Sequence, residues 1–129
     1  MEASLLMRTS TDTVKPKKEL KFCCDAARAA PMRLPVEIRK AFGEQFRRVQ
    51  WGQLPDRVEW FETVGPKVLQ MGVRDAHSWY RAMYVQGFPE AIYALHFFQK
   101  KTNQTPQRNI DIARKRLSDL NAERTKGRK

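Results

Sequence analysis

The stretch VLQMGVRDAHSWYRAMYVQGFPEAIYALHFFQKK, Val68–Lys101, is where the periodicity of the chain decides the fold. In its first eight residues Leu69, Met71 and Val73 fall on one face and Gln70, Gly72 and Arg74 on the other, the period of two that marks a strand. DAHS then supplies a turn, WYRAMYVQGF a second strand, and GFPE a connection into a third, AIYALHFFQKK. Alternation puts Ile92, Ala94 and Phe98 on one face of the third strand and Tyr93, Leu95 and Phe97 on the other, so both faces are apolar and both are expected to be buried. Three strands in a row with short connections predict an antiparallel meander.

On either side of the meander the period changes to that of a helix. In PVEIRKAFGEQFRRVQWG, residues 35–52, Ile38, Phe42, Phe46 and Val49 line one face, Pro35 opens the segment and Gly52 closes it. After the meander, Thr105 and Pro106 read as N-cap and first helical residue, and Ile110, Ala113, Leu117 and Leu120 form the apolar stripe of a closing helix. Its other face is basic, with Arg108, Arg114, Lys115 and Arg116. Near the start, ELKFCC reads as a short strand, and Asp25 as the cap of a short helix that Pro31 interrupts. QLPDRVEWFETVGPK, with two prolines and a glycine, reads as a loop docked by Trp60 and Phe61. The expected architecture is α+β, with helices packed on a small antiparallel sheet of at least three strands and a helix at the C-terminus. Residues 1–18 are expected to form a flexible extension, 19–122 one domain and 123–129 a frayed basic tail.

The chain of 129 residues, 41% hydrophobic, is long enough for one real core and too short to expect two. Lys and Arg number 25 against 14 Asp and Glu, a formal charge of +11, which points to a polyanionic or acidic partner. Cations recur inside the patterned segments, so the charge is not a tail property. The two cysteines, Cys23 and Cys24, are adjacent, which suits neither a disulfide framework nor a zinc site and fits a reducing cytoplasm. No apolar run approaches the ~20 residues of a membrane span.

The familiar catalytic signatures are absent. There is no Gly-rich phosphate loop, GxSxG elbow or HExxH, and His77 and His96 are too few for a His-rich metal centre. What remains is a sheet bearing aromatics and cations: Arg74, Trp79, Tyr80, Arg81, Tyr84, His96, Lys100 and Lys101. Arg74 ends one strand and Arg81 begins the next across a tight turn, so two guanidinium groups can converge. They read equally as solvated residues or as phosphate contacts. His96, amid apolar neighbours, reads first as a core histidine, and Trp79, Tyr80 and Tyr84 first as packing residues. Such a surface suits RNA cleavage without metal, since the ribose supplies its own 2′-hydroxyl nucleophile and the protein has only to move protons and neutralise charge.

The wording of PKVLQMGVRD, YRAMY, IYALHFFQKKTNQTP and IDIARKRL, together with the looser LPVEIRKAFGEQ, resembles the phage-derived, HigB-like branch of the RelE/ParE toxin superfamily. The likeness spans about residues 20 to 120. It implies a RelE-like fold and a cytoplasmic type II toxin that pairs with a helix-turn-helix, HigA-like antitoxin. It implies further a metal-independent, cofactor-free endoribonuclease that cuts mRNA on the ribosome and inhibits translation. Carried onto this chain, the site residues are Arg81, Arg74, Lys100 and Lys101. The acid and base are left open among Tyr84, His96 and a lysine, and Arg114, Lys115 and Arg116 either solvate the closing helix or approach RNA. Relatives place an acidic residue and a further arginine where this chain has Gln70 and Gly72, a difference that keeps two alternatives in play: a non-catalytic, ParE-like gyrase inhibitor, or an inactive nucleic-acid-binding relative.

Overall fold

The computed structural model of the protein describes residues 18–101 and 104–127. The chain runs through β1 (Glu19–Phe22), α1 (Asp25–Ala29), a 3₁₀ turn (Ala30–Arg33), α2 (Val36–Gln50), β2 (Val58–Trp60), β3 (Val68–Arg74), β4 (Trp79–Val85), β5 (Ala91–Lys100) and α3 (Gln107–Gly127). The strands form one sheet in the order β1-β5-β4-β3-β2. The meander β3-β4-β5 is antiparallel as its periodicity predicts, and β2 extends it antiparallel to β3. At the far edge β1 pairs parallel with β5, so the sheet is mixed. A parallel neighbour needs a long connection, and everything between β1 and β5, including α1 and α2, serves as one.

Each face of the sheet has its own core. On one, the α2 stripe of Ile38, Phe42, Phe46 and Val49 packs on Leu69, Met71, Tyr80, Ala82, Tyr84, Ile92, Ala94 and Phe97. On the other, Ile110, Ala113, Leu117 and Leu120 of α3 pack on Val68, Met83, Val85, Ala91, Tyr93, Leu95 and Phe98. Each large apolar side chain so buried contributes about 1.5–3 kcal/mol. The helix α2 stops at Trp51 and Gly52, and Gly52 takes φ 83°, the left-handed conformation a glycine adopts cheaply after a helix.

Simple alternation fails in β5. Met83 pairs with His96 but Tyr84 pairs with Ala94, so Leu95 is an extra residue in a β-bulge. The bulge turns Leu95 and His96 toward the same side, and it places Phe97 with Ile92 and Ala94, and Phe98 with Tyr93 and Leu95, the reverse of the grouping expected from a period of two. The Leu95 carbonyl accepts a 2.8 Å hydrogen bond from Arg116 Nη1 of α3.

Three further expectations are corrected. QLPDRVEWFETVGPK contains a strand, β2, and Trp60 does not dock the loop: it is 58% exposed, while Phe61 packs at the edge of the α3-side core. The closing helix begins at Gln107, with the Pro106 carbonyl accepting from the backbone N–H of Ile110, and Thr105 directs its hydroxyl to Gln70 instead of capping. The helix also continues past residue 122 to Gly127, where Arg124 stacks on Phe88 and grips Glu90 with bonds of 2.6 and 2.9 Å. The extension at residues 1–17 and the last two residues of the tail lie outside the described residues; Lys18 is tied to Gln50 and Gln86.

Candidate functional site

The α3-side core ends at Val68, Met83 and Phe98. Two residues further along each strand, the same face carries polar and basic side chains. Partners in an antiparallel ladder share a face, and the register Gln70↔Met83, Gly72↔Arg81, Arg74↔Trp79 and Trp79↔Lys100 puts Gln70, Gly72, Arg74, Trp79, Arg81 and Lys100 together beyond the end of the helix's cover. Glu59 joins them from β2, opposite Gln70. Arg57, just before β2, follows Asp56, which α2 holds in place. Gln45 Nε2 donates to Asp56 Oδ2 at 3.1 Å, Asp56 N donates back to Gln45 Oε1 at 2.8 Å, and Arg48 pairs with Asp56 at 2.6 Å. The backbone carbonyl of Arg57 accepts from Gly72 N at 3.1 Å.

These residues enclose a recess of about 370 Å³ lined by Asp56, Arg57, Val58, Glu59, Gln70, Gly72, Trp79 and Arg81. Three guanidinium groups gather round one indole: Arg57, Arg74 and Arg81 have their Cζ atoms 4.8, 5.0 and 5.1 Å from the Trp79 ring centroid. Cation–π attraction offsets part of their mutual repulsion. Gly72 is the floor. A Cβ built there would run into Nη1 of Arg81, so the missing side chain is the space in which that guanidinium lies. A further arginine at this position would displace Arg81 rather than add to it.

The electrostatics are those of an underneutralised cation cluster. Burial holds the Arg81 guanidinium below the usual arginine range; Glu59 opposes that and Arg57 adds to it. Its Nη1 is buried without a hydrogen-bond partner, which is costly until an acceptor arrives. Lys100 is likewise held below the usual lysine range, first by burial, then by Arg81, with Glu59 opposing. Gln70, 2% exposed, donates from Nε2 to Glu59 Oε2 at 2.8 Å and accepts from Thr105 Oγ1 at 3.4 Å.

Of the residues singled out from sequence, Arg74, Arg81 and Lys100 come together here. Lys101 is exposed, one residue past the end of β5. Tyr84 is not part of this surface: it is fully buried on the α2 side, edge-on to Phe46 at 5.5 Å, with burial pushing its phenol up. The helix cations are engaged elsewhere. Arg114 Nε donates to the Thr63 carbonyl at 2.9 Å, Lys115 pairs with Asp119 at 3.0 Å, and Arg116 serves the bulge. His96 is a satisfied core residue: Nε2 donates to Asn109 Oδ1 at 2.7 Å, leaving Nδ1 to accept from Arg116 at 3.4 Å, and the ring stacks on Phe98. Sequence reasoning missed Arg57 and Glu59, although Arg57-Val58-Glu59-Trp60 alternates as a strand should. Among the described residues no group of three or more His, Cys, Asp or Glu side chains is placed to hold a metal ion, and no helix is long and apolar enough to cross a membrane.

Residues 32–118 match the family model described as phage-derived protein Gp49-like (DUF891). That span contains the recess and the whole β2-to-β5 sheet. No curated protein matches the chain.

Proposed function

The chain belongs to the phage-derived Gp49-like family, a family of RelE toxin type, and from that premise we propose that it is the toxin of a type II toxin–antitoxin pair, cutting mRNA at the ribosome without a metal. The observation that carries this reading is the convergence of Arg57, Arg74 and Arg81 on Trp79, with Lys100 and the Glu59 carboxylate in the same field, Asp56 beside them being already engaged by Gln45 and Arg48. A cation cluster alone would bind phosphate. A carboxylate beside it adds a proton acceptor.

The chemistry needs three things, and each has a residue. Glu59 takes the proton of the ribose 2′-hydroxyl as O2′ attacks the adjacent phosphorus. Arg81, its Nη1 lacking a partner, and Arg57 meet the negative charge that builds on the non-bridging oxygens, a task suited to a planar, permanently charged fork. The P–O5′ bond breaks, and O5′ takes a proton from Lys100, whose ammonium burial makes more acidic than usual. The products are a 2′,3′-cyclic phosphate and a free 5′-hydroxyl. A helix-turn-helix antitoxin belongs to the same reading, since a net charge of +11 favours a partner with an acidic segment.

The test is induced expression followed by primer extension on cellular mRNA. Growth arrest with discrete new 5′ ends is the expected result. Arrest with intact message would replace RNA cleavage by a gyrase-type inhibition, and unimpeded growth would remove the toxin reading altogether.

A further inference from the structure

We propose that Gln70 is the positioning residue of this site, a neutral amide that fixes the Glu59 carboxylate for proton transfer and is itself oriented by Thr105. The inference rests on the reading of Glu59 as proton acceptor and adds to it the device that makes one carboxylate usable amid four cations. Gln70 stands directly across the ladder from Glu59, and at 2% exposure it is the most buried polar residue near the recess. The carboxylate of Glu59, an acceptor only, takes the amide's Nε2 at 2.8 Å, and the Thr105 hydroxyl at 3.4 Å supports that orientation by donating to the remaining Oε1. One oxygen of the carboxylate, Oε2, is thereby held at the wall of the recess that Glu59 lines.

Alternative residues at position 70 show why an amide is required. A carboxylate there would set two like charges opposite each other on neighbouring strands, a destabilising pair that would compete for a single proton. A long cation would form an ion pair with Glu59 and cover the oxygen that must accept the proton. An apolar residue would leave Glu59 to swing toward Arg57 or Arg81, into an ion pair that removes it from the reaction. Only a neutral donor of this length holds the carboxylate without adding or cancelling charge.

The experiment compares the full-length parent with Gln70→Met, close in volume but unable to hydrogen-bond, in single-turnover cleavage of mRNA on programmed ribosomes. Misorienting a reacting group by about an ångström lowers the chemical step roughly tenfold to a hundredfold. The expected result is a fall of that size in kcat, with KM within about twofold of the parent, because Gln70 is buried and spends its amide on Glu59. Thr105→Val should show the same pattern at smaller amplitude, and it keeps the question open should Gln70→Met fail to fold. Unchanged kcat in the folded variants, or a rise in KM at constant kcat, would overturn the proposal.

A second readout needs no activity. In the ¹⁵N-labelled parent the Gln70 side-chain amide should exchange slowly and give a distinct resonance that moves on Glu59→Gln and broadens on Thr105→Val. A freely exchanging amide, indifferent to both changes, would sink the positioning role even if the parent cleaves RNA. A parent that leaves message intact while the amide behaves as described would instead sink the cleavage reading and leave the hydrogen-bonded chain standing.

Discussion

Two groups of arginines sit on the same face of one sheet and live under different rules. Three of those on α3 are given an oxygen: Arg114 the Thr63 carbonyl, Arg116 the Leu95 carbonyl, Arg124 the Glu90 carboxylate. Those at the open end share an indole: Arg74 makes only a long 3.4 Å bond from Nε to the Asp75 carbonyl, and Arg81 keeps a buried Nη1 with nothing to donate to. The difference teaches that net charge says little about where an anion will bind. Cations whose donors are already spent hold the fold together. Cations gathered on a π-face, with donors in reserve, are available to a ligand.

The sharpest way to break this contrast is to remove one residue from each group and compare what is lost. Arg81→Ala should lower RNA cleavage by about 10²–10³-fold, the range seen when one oriented donor to a developing charge is deleted. Circular dichroism should show an intact fold and a melting temperature at or above the parent's, since the variant also removes an unsatisfied buried donor. Full toxicity in folded Arg81→Ala would dissolve the distinction. Next in size, Trp79→Ala takes away the surface that gathers three guanidiniums, each contact worth about 0.5–1 kcal/mol. Cleavage should drop by roughly tenfold or more, and Trp79→Phe should recover part of it. A Trp79→Ala protein with parental activity would mean that the arginines find their places without the ring.

The opposite profile is expected on α3. Arg116→Ala should cost about 1–2 kcal/mol of stability, because the Leu95 carbonyl at the bulge loses its donor. Activity per folded molecule should stay within about twofold of the parent, a difference too small to implicate a catalytic contact. A loss of cleavage without a loss of stability would move Arg116 into the first group. The smallest effect is the response of stability to pH, where two groups of the α3 side should show. Burial, opposed by Asn109 and reinforced by Arg116 and Arg108, holds His96 below its ordinary 6.5. The unfolded chain therefore takes the proton first, so this stability is present above pH 6.5 and is lost as pH falls below it. Cys23 behaves in the reverse sense. Burial pushes its thiol from 9.0 up to about 12, so its contribution is present below pH 9 and is lost as pH rises toward 12. Calorimetry from pH 5 to 10 checks both limbs, and an acid limb that persists in His96→Gln would assign the titration elsewhere.

Much of this was legible in the sequence, for reasons that can be stated residue by residue. The meander declared itself because Leu69, Met71 and Val73 alternate over a full strand, and the two long helices because their apolar stripes repeat over several turns. What stayed hidden depended on pairing between distant segments. β2 is three residues long and flanked by prolines, too short for periodicity to register, and only its partner β3 makes it a strand. Arg57 and Glu59 were lost with it. The bulge at Leu95 was invisible because apolar residues occupy both faces of β5, so a slip of one position leaves the pattern unchanged. Tyr84 is a different case. It lies three residues from Arg81, and a period of two already assigns it to the opposite face; a phenol's capacity for proton transfer says nothing of which face it occupies. Lys100 and Lys101 are divided in the same way by a single step at the end of a strand.

Gly72 has a consequence for the genetics of the gene. The guanidinium of Arg81 occupies the volume that any other residue at position 72 would fill with its first side-chain carbon, and the collision is with the mobile end of a long side chain. The protein therefore yields by shifting the arginine, not by unfolding. Alleles that add only a small side chain there, alanine or serine, share that lesion. Survivors of a selection against the expressed gene should accumulate there as full-length, well-expressed protein, while survivors altered in either core should be recognised by the disappearance of the product.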